Sequence, residues 1–235
     1  MAKYYDRIYH WKDYRKEAIK VNRLVRSRGR IRCRTLLDVG CGTGMHIRYL
    51  RRNFECVGID NSREMLAVAR REVPGRRFEQ GDMVDFALGR RFDVVTCLFS
   101  AIGYLKTRKR VRKAIDNFAK HTNTGGVLII EPWIMKSKWR DKTADVKMYV
   151  GPELKIVRVD YGRARGAFSF LDERYLIAER NKGVSYLKTN HVMRFFEKQE
   201  MLAMMRQSGF DAEYLAESLT GKRGLLVGVK KGALE

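Results

Sequence analysis

Three glycines and two acids near the start of the chain have the types and spacing of a ligand-binding site. An apolar run that contains Asp38 is followed by Gly40, Gly42 and Gly44, and a second apolar run ends at Asp60. Glycines let the backbone turn tightly and let a ligand lie against bare main chain. Asp60 lies near the offset of ~20 residues at which doubly wound folds place an acid for ribose hydroxyls. The pattern therefore predicts a strand, a ligand-binding glycine loop and a helix.

The spacing of the glycines indicates which kind of ligand-binding glycine loop this is. The third glycine comes too early for a dinucleotide fingerprint, which disfavours a dinucleotide-binding oxidoreductase, and no G-K-[ST] follows as in a P-loop. The pattern D-x-G-x-G-x-G with the later acid resembles motif I and the ribose acid of the class I S-adenosylmethionine-dependent methyltransferases. An ordinary tight turn is the alternative interpretation.

The segments around the loop predict the elements that position it. Strand-like runs and helical patterns alternate along the chain, with strands at 34–39, 56–59, 78–80, 92–98 and 127–131 and helices at 12–28, 46–50, 63–66 and 107–121. A helix at 201–205, stopped by Gly209, precedes a final hairpin of 210–216 and 224–229. This order predicts a doubly wound α/β fold with a seven-stranded, mostly parallel sheet.

Ligands of such a sheet bind at the carboxyl ends of the strands. In this chain the predicted ends carry Asp38, Asp60, Asp82, residues 98–100 and Glu131. Three acids at successive strand ends are hard to explain by packing, although any one of them could be a solvated strand end.

Two further regions flank the predicted sheet within a single domain of residues 1–235. Residues 1–30 predict an N-terminal helical lid that begins with an aromatic cluster of Tyr4, Tyr5, Tyr9, Trp11 and Tyr14, for which a packed flap is the simpler alternative. Short alternating runs from 142 to 196, with a turn at 181–183, predict an antiparallel β insertion at the substrate edge of the sheet.

The composition is strongly basic. The 235 residues include 49 Lys and Arg against 27 Asp and Glu, for a net charge of +22. Such a surplus favours anionic ligands and non-specific affinity for nucleic acid, although the basic residues are spread along the chain as on a solvated surface. No apolar run approaches the ~18 residues of a membrane span, and we expect no membrane partner. The start of the chain lacks the apolar core of a signal peptide, and the four cysteines lack metal or disulfide spacing, so a cytoplasmic location is expected.

Motifs across nearly the whole chain resemble one branch of the methyltransferases, the TDP-3-amino-sugar N,N-dimethyltransferases of the desosamine and mycaminose pathways. The matching pieces are Tyr5-Asp6 with Tyr9, Lys12-Asp13-Tyr14, the glycine loop, Gln80-Gly81-Asp82-Met83, residues 99–107, Glu131-Pro132-Trp133, Lys182-Gly183-Val184, His191 and residues 223–229. The segments F-S-x-I-G-Y-L-K-T and E-P-W are more specific than the glycine loop. The chain departs from this family in a shorter segment between Tyr9 and Lys12, in Ile134 where a second tryptophan is expected, and in its higher basicity.

The resemblance implies S-adenosyl-L-methionine as cofactor and S-adenosylhomocysteine as product. By the same resemblance, the cofactor is contacted by a loop that holds the methionine part, an acid at the ribose, residues flanking the adenine and a segment beside the sulfonium. In chain order the implied residues are Tyr14, Asp38, Gly40, Cys41, Gly42, Thr43, Gly44, Asp60, Asn61, Met65, Asp82, Met83, Leu98, Phe99 and Ser100.

The predicted reaction is methyl transfer to a small-molecule acceptor, with an amine as the expected nucleophile. An in-line displacement mainly requires alignment of a neutral nucleophile and exclusion of water. The candidate proton acceptors are Tyr9, Glu131 and His191, although a structural role for His191 in the insertion fits the sequence as well. The acceptor itself is expected against Tyr9, Trp133 and Arg223, and no metal is expected.

Arg223 is the candidate for an anionic end of the acceptor. It lies in the predicted hairpin Gly221-Lys222-Arg223-Gly224, which the methyltransferase topology places at the carboxyl edge of the sheet. For Lys222 a solvated turn is the preferred interpretation.

Two other functions remain compatible with the sequence. The net charge suits an RNA methyltransferase, but neither [ND]-P-P-[YF] nor a Pro-Cys nucleophile follows the fourth predicted strand. A catalytically silent RNA-binding protein with the same fold would leave the strand-end acids without a purpose. A homodimer is a further expectation.

Overall fold

The computed structural model describes residues 1–219 and 223–232, so the predicted hairpin residues Gly221 and Lys222 lie outside it. Its elements along the chain are α1 (Ala2–Ile8), α2 (Tyr14–Arg28), β1 (Thr35–Val39), α3 (Met45–Leu50), β2 (Glu55–Asp60), α4 (Arg63–Glu72), β3 (Arg77–Gln80), β4 (Phe92–Cys97), α5 (Arg108–Lys120), β5 (Thr122–Ile130), β6 (Thr143–Val150), β7 (Leu154–Arg165), β8 (Phe168–Glu179), β9 (Gly183–Arg194), α6 (Lys198–Gln207), β10 (Phe210–Leu215) and β11 (Leu225–Lys230).

Seven of the strands form one sheet in the order β10-β11-β5-β4-β1-β2-β3. All neighbours pair in parallel except β11, which runs antiparallel to both β5 and β10. The predicted doubly wound, mostly parallel sheet is therefore confirmed. The carboxyl ends of β1, β2, β4 and β5 meet at one edge, where the glycine loop begins.

The central strands are apolar on both faces because helices cover both. Leu36 faces α2, α3 and α4, whereas its neighbour Leu37 faces α5 and α6, and both are fully buried. The methionines Met201 and Met205 of α6 also belong to the core. Burial of this kind contributes about 25 cal/mol per Å² of apolar surface.

Polar caps fix where the helices next to the site begin. Ser62 Oγ accepts a hydrogen bond from the Met65 amide at 3.3 Å, and Thr107 Oγ1 accepts one from the Arg110 amide at 3.2 Å. Each such cap stabilises a helix by about 1 kcal/mol. Ser62 and Thr107 match the helix starts that the sequence predicted.

Strands β6 to β9 form a separate antiparallel sheet in chain order. Its strands are longer than the short runs that the sequence predicted, and β8 runs unbroken from Phe168 to Glu179. Polar residues lie within this strand, where Glu173 is buried on the inner face of the sheet. The predicted turn connects β8 and β9, with positive φ at Asn181 and Gly183.

Helix α1 packs against the inner face of the insertion sheet. Tyr4 and Ile8 form a small buried cluster with Ile156, Tyr175 and Ile177. Helix α2 packs on the main sheet instead, through Val21 and Val25. The N-terminal segment thus bridges the two sheets above the carboxyl edge. Within the described ranges, no helix is long and apolar enough to cross a membrane.

Candidate active site

The glycine loop turns through left-handed conformations that favour glycine. Gly40, Gly42 and Gly44 have φ values of +74°, +55° and +77°. A Cβ on Gly40 would lie 2.6 Å from the Cβ of Ala101, whereas a Cβ on Gly42 would meet nothing within 4 Å. Gly40 is therefore required for packing, and Gly42 presents bare main chain to open space. Cys41 is buried, so the loop faces the site with its backbone and not with a thiol.

Two acids lie at the base of this loop. Asp60 Oδ2 accepts a hydrogen bond from the Gly42 amide at 2.8 Å, and its Oδ1 accepts one from the Ser62 amide at 2.9 Å. Asp38 is buried beneath the loop, where Oδ1 accepts a hydrogen bond from Thr96 Oγ1 at 2.8 Å. Its Oδ2 has no hydrogen-bond partner among the described residues. Burial raises the pKa of Asp38, and a cationic ligand group nearby would satisfy this oxygen.

Where the adenine is expected, Asp82 forms an ion pair with Arg110 that the sequence did not indicate. Asp82 Oδ2 accepts a hydrogen bond from Arg110 Nη2 at 2.6 Å, and Oδ1 accepts one from the Val84 amide at 3.1 Å. The methyl group of Met83 lies 3.9 Å from the Cβ position of Gly40, which brings it next to the loop. Of the other two residues implied for the adenine, Asn61 is exposed and Met65 is partly buried.

The segment after β4 is held in an uncommon conformation. Phe99 and Ser100 have φ values of +48° and +65°, which L side chains rarely adopt. Glu131 holds this turn, since its Oε2 accepts a hydrogen bond from the Phe99 amide at 2.8 Å and its carbonyl accepts one from the Ser100 amide at 3.2 Å. Strained backbone that is fixed in this way is common at functional sites.

Glu131 is also a candidate for contact with a ligand. Its side chain is buried, and Oε1 has no hydrogen-bond partner within residues 1–219 and 223–232. Burial raises the pKa of Glu131, while the charges of Arg223 and Lys12 oppose that shift.

A buried charged cluster supports the lid from below. Lys12 and Glu17 form an ion pair with exposed fractions of 5% and 0%, and Glu17 Oε2 lies 2.7 Å from His46 Nε2. Burial alone would raise the pKa of Glu17, but hydrogen bonds from His46 and Lys12 hold it at about 2. Since His46 lies in the first turn of α3, just after the glycine loop, the cluster ties the N-terminal segment to that loop. Asp6 makes a second tie, accepting a hydrogen bond from Thr43 Oγ1 at 2.6 Å.

The residues predicted for the acceptor meet around Phe99. The ring of Tyr9 lies edge-on to that of Phe99, with 5.2 Å between centroids. The guanidinium carbon of Arg223 lies 4.9 Å from the Phe99 centroid and 5.6 Å from the centroid of Trp133. Glu131 also binds the Phe99 amide. The structure therefore brings four predicted site residues together around Phe99, namely Tyr9, Glu131, Trp133 and Arg223.

His191 lies apart from that cluster, on β9 of the insertion. Its Nδ1 lies 2.9 Å from the Tyr104 hydroxyl, and its Nε2 lies 3.3 Å from Glu173 Oε2. Arg158 on β7 packs over the ring of Tyr9 at 5.2 Å and pairs with Asp160 at 2.8 Å. The inner face of the insertion therefore brings a second group of polar side chains close to Tyr9.

Sequence reasoning missed the buried charges at Lys12, Glu17, Arg158 and Glu173. The sequence did contain a sign of burial for three of them. Glu17, Arg158 and Glu173 each lie on the same face of their helix or strand as apolar residues. Glu17 precedes Val21 by one helical turn, and Arg158 and Glu173 share the strand face of Ile156 and Tyr175. A charged residue on an apolar face marks either a buried ion pair or a site.

We expect Gly42→Ala to fold but to bind the cofactor at least ~10-fold more weakly, because the new methyl group occupies the open space above the loop. Isothermal titration calorimetry with S-adenosylhomocysteine measures this loss. Gly75→Ala is the matched control, since Gly75 has a φ of +76° and equal space in the turn between α4 and β3. Equal affinities of the two variants would contradict the placement of the cofactor.

The fold and the site define a class I S-adenosylmethionine-dependent methyltransferase. The acids at Asp60 and Asp82 suit the hydroxyl and amino donors of adenosine, and the unpartnered oxygen of Asp38 suits the ammonium group of the methionine part. A family model described as a methyltransferase domain matches residues 36–126, which extend from β1 through the glycine loop into β5.

The whole chain is similar to enzymes of known function. It is 36% identical over 231 residues, 97% of both chains, to the dTDP-3-amino-3,4,6-trideoxy-alpha-D-glucopyranose N,N-dimethyltransferase of Streptomyces venezuelae. The crystal structure of Streptomyces venezuelae DesVI superposes with a TM-score of 0.93 at 35% identity, covering 97% of this chain and 98% of that one.

A further similar structure is SAM-bound CalS10, an amino pentose methyltransferase from Micromonospora echinaspora, with a TM-score of 0.85 at 32% identity over 94% of this chain and 92% of that one. The chain belongs to the same methyltransferase family as these sugar N-methyltransferases. It is an S-adenosylmethionine-dependent N-methyltransferase with a small-molecule acceptor, as the sequence predicted.

Proposed function

We propose that this enzyme transfers methyl groups from S-adenosylmethionine to the amine of a dTDP-linked amino sugar, ending with the N,N-dimethylated product. The observation that carries the proposal is the position of Arg223, whose guanidinium lies over Phe99 and Trp133 beside the carboxylate of Glu131. A guanidinium grips phosphate oxygens through paired N–H donors. The relatives' amino-sugar substrates support the same acceptor.

A second arginine near Tyr9 has free hydrogen-bond donors. Arg158 is buried, yet its Nε and Nη1 have no hydrogen-bond acceptor in the described part of the chain. Buried donors of this kind are rare unless a ligand or water satisfies them. We infer that the diphosphate lies within reach of Arg223, that a neutral ligand oxygen or water meets the Arg158 donors, and that the sugar lies under Tyr9 and Trp133.

The proposed cofactor contacts follow from the strand ends. Asp60 binds the ribose hydroxyls, Asp82 accepts from the adenine amino group, and Phe99 with Ser100 lines the side of the sulfonium. The lid segment, tied down by Asp6 and Lys12, excludes water from the methyl group. Alignment of a neutral amine in such a cavity can supply about 7–11 kcal/mol of the barrier reduction.

The test is transfer of a labelled methyl group to dTDP-3-amino sugars, with dTDP-glucose as the control that lacks the amine. We expect one and then two methyl groups on the amine by mass spectrometry. The net charge of +22 is the observation that favours an RNA methyltransferase as the second candidate. Label in total RNA, with none in the amino sugars, would replace our proposal by that one. Weak RNA binding lost at moderate salt would report only the surface charge.

Arg223→Ala should raise KM for the anionic acceptor by about 10-fold to 100-fold, because a charged hydrogen-bonding partner of the phosphate is lost. Cofactor affinity should stay nearly unchanged. Steady-state kinetics with varied acceptor measure the effect, and the exposed Arg163→Ala is the matched arginine control. An unaltered KM would remove Arg223 from the acceptor site.

We also infer that a second copy of this chain covers the outer face of the insertion sheet. Among the described residues, twelve large hydrophobic side chains are exposed, and eight of them lie on this face: Val146, Met148, Val150, Val159, Tyr161, Leu176, Val184 and Tyr186. Together they supply on the order of the 800 Å² per partner that a stable interface buries. The charge of Arg174 on this face is paired with Asp172 at 2.8 Å, which limits repulsion between two basic chains.

Leu176→Glu should convert this dimer to a monomer, because it buries an unpaired carboxylate in the centre of the interface. Sedimentation velocity at micromolar concentration measures the change. Ile19→Glu, an equally exposed position on α2, should leave the dimer intact. A monomeric unmutated protein would contradict the inference.

A further inference from the structure

Three side chains from the insertion and from the turn after β4 form a hydrogen-bonded chain, and only His191 among them was a candidate proton acceptor from the sequence. The Tyr104 hydroxyl lies 2.9 Å from His191 Nδ1, and His191 Nε2 lies 3.3 Å from Glu173 Oε2. The three residues come from different elements, namely the turn after β4, β9 and β8. Their order places a hydroxyl, an imidazole and a carboxylate in hydrogen-bonding sequence.

The tyrosine end of this chain lies beside the proposed acceptor site. Tyr104 ends the short turn Ala101–Tyr104 and is 50% exposed, and a Cβ on the preceding Gly103 would lie 3.1 Å from Trp133 Cβ. The hydroxyls of Tyr9, Tyr14 and Tyr104 lie near that of Tyr5, whose pKa is raised by burial and by these neighbours. Tyr104 therefore lies near Trp133 and the N-terminal tyrosines, where the proposed function puts the acceptor amine.

The carboxylate end is buried and already ordered. Glu173 Oε2 accepts hydrogen bonds from the Tyr175 hydroxyl at 2.5 Å and from Thr189 Oγ1 at 3.0 Å. Burial alone would raise the pKa of Glu173, but hydrogen bonds from His191 and Tyr175 hold it at about 2. The carboxylate is thus ionised at neutral pH and can stabilise an imidazolium.

The other charges around the chain are balanced. Arg158 Nη1 lies 3.9 Å from Glu173 Oε1, and the same guanidinium pairs with Asp160 at 2.8 Å. The carboxylates of Asp160 and Glu173 therefore face the single guanidinium of Arg158. One negative charge is left, which can balance a positive charge on His191. Tyr9 is the remaining titratable neighbour of Tyr104, and burial raises the pKa of both phenols.

We propose that Tyr104, His191 and Glu173 form a relay that removes protons from the acceptor amine. Tyr104 accepts a proton from the ammonium nitrogen and passes its own hydroxyl proton to His191 Nδ1. His191 becomes an imidazolium, which Glu173 holds in place as a positioning residue without being protonated. The imidazole ring, whose side chain is 31% exposed, then releases the proton to water.

The relay rests on the proposed function, and double methylation gives it a purpose. Transfer of a methyl group to a neutral amine yields a cationic secondary ammonium. That nitrogen has no lone pair until one N–H bond breaks, so the second transfer requires loss of a proton within the cavity. Glu131 is the alternative proton acceptor, because its Oε1 has no hydrogen-bond partner among the described residues, and Glu131→Gln tests it directly.

The test is the pH profile of Tyr104→Phe and His191→Asn, with products resolved by mass spectrometry. At neutral pH we expect kcat/KM to fall about 100-fold and the monomethylated product to accumulate. At a pH where the amine is neutral in water, activity should recover to within about 10-fold of the unmutated enzyme. Glu173→Gln should show the same recovery with a smaller loss. A merely structural role would give no recovery at high pH.

Two controls complete the design. Tyr49→Phe on α3 and His10→Asn at an exposed position remove the same groups away from the relay and should keep the full profile. Unchanged S-adenosylhomocysteine binding in each variant shows that the site has folded. Unmutated profiles in Tyr104→Phe and His191→Asn, or a shift in Glu131→Gln instead, would overturn the relay. Failure of the unmutated enzyme to methylate any amine would overturn the proposed function, and the relay with it.

Discussion

Asp60→Ala should weaken S-adenosylhomocysteine binding about 100-fold or more, because two hydroxyl hydrogen bonds to a carboxylate are lost together. The same substitution also frees the Gly42 amide, which Asp60 Oδ2 binds at 2.8 Å. Calorimetry on the unmutated protein should give one site per chain. The loss is expected with any acceptor, since Asp60 lies at the end of β2 and away from Trp133 and Arg223.

Asp211→Ala is the matched control for this experiment. Asp211 is exposed and pairs with Arg30 at 3.1 Å, at the opposite edge of the sheet. Its removal should leave cofactor affinity unchanged. Equal binding by the unmutated protein and the Asp60 variant would exclude Asp60 from the cofactor site.

Glu17→Ala should destabilise the protein by about 3–5 kcal/mol, because it leaves the buried ammonium of Lys12 without its carboxylate. For a domain of this size the midpoint of thermal unfolding should fall by roughly 10 °C or more. Glu64→Ala, on the exposed face of α4, is the control and should change little. Differential scanning calorimetry decides between these outcomes.

A double substitution separates loss of the pair from loss of packing. Lys12→Met with Glu17→Leu removes both charges and should recover most of the lost stability. If the double variant is no more stable than Glu17→Ala, the damage comes from the tie to His46 and not from an unpaired charge.

The same cluster predicts a loss of stability in acid. The pKa of Glu17 is about 2 in the folded protein against an ordinary value of 4.5, so protons bind the unfolded chain more readily. The stabilisation of about 3 kcal/mol is complete above pH 4.5 and is lost as the pH falls towards 2. Urea unfolding of Glu17→Ala should therefore depend less on pH in this range, while Glu173 contributes a similar slope in both proteins.

Much of this protein follows from its sequence alone. The alternation of apolar runs and helical patterns determined the doubly wound sheet, because strands buried on both faces must be apolar throughout. The glycine loop and Asp60 predicted the cofactor through their resemblance to motif I and the ribose acid of the class I methyltransferases. The relatives confirm the family, and the positions of the cofactor contacts remain predictions.

Tertiary structure alone decided which polar groups meet. Tyr104 and His191 are 87 residues apart, and only the packing of the insertion against the turn after β4 joins them. The buried pair of Lys12 and Glu17 likewise depends on the angle at which the chain enters α2. Sequence periodicity shows which face of a helix or strand is buried, but it does not show which other helix or strand packs against that face. A charged residue on an apolar face can therefore be noticed from the sequence, while its partner is fixed only by the fold.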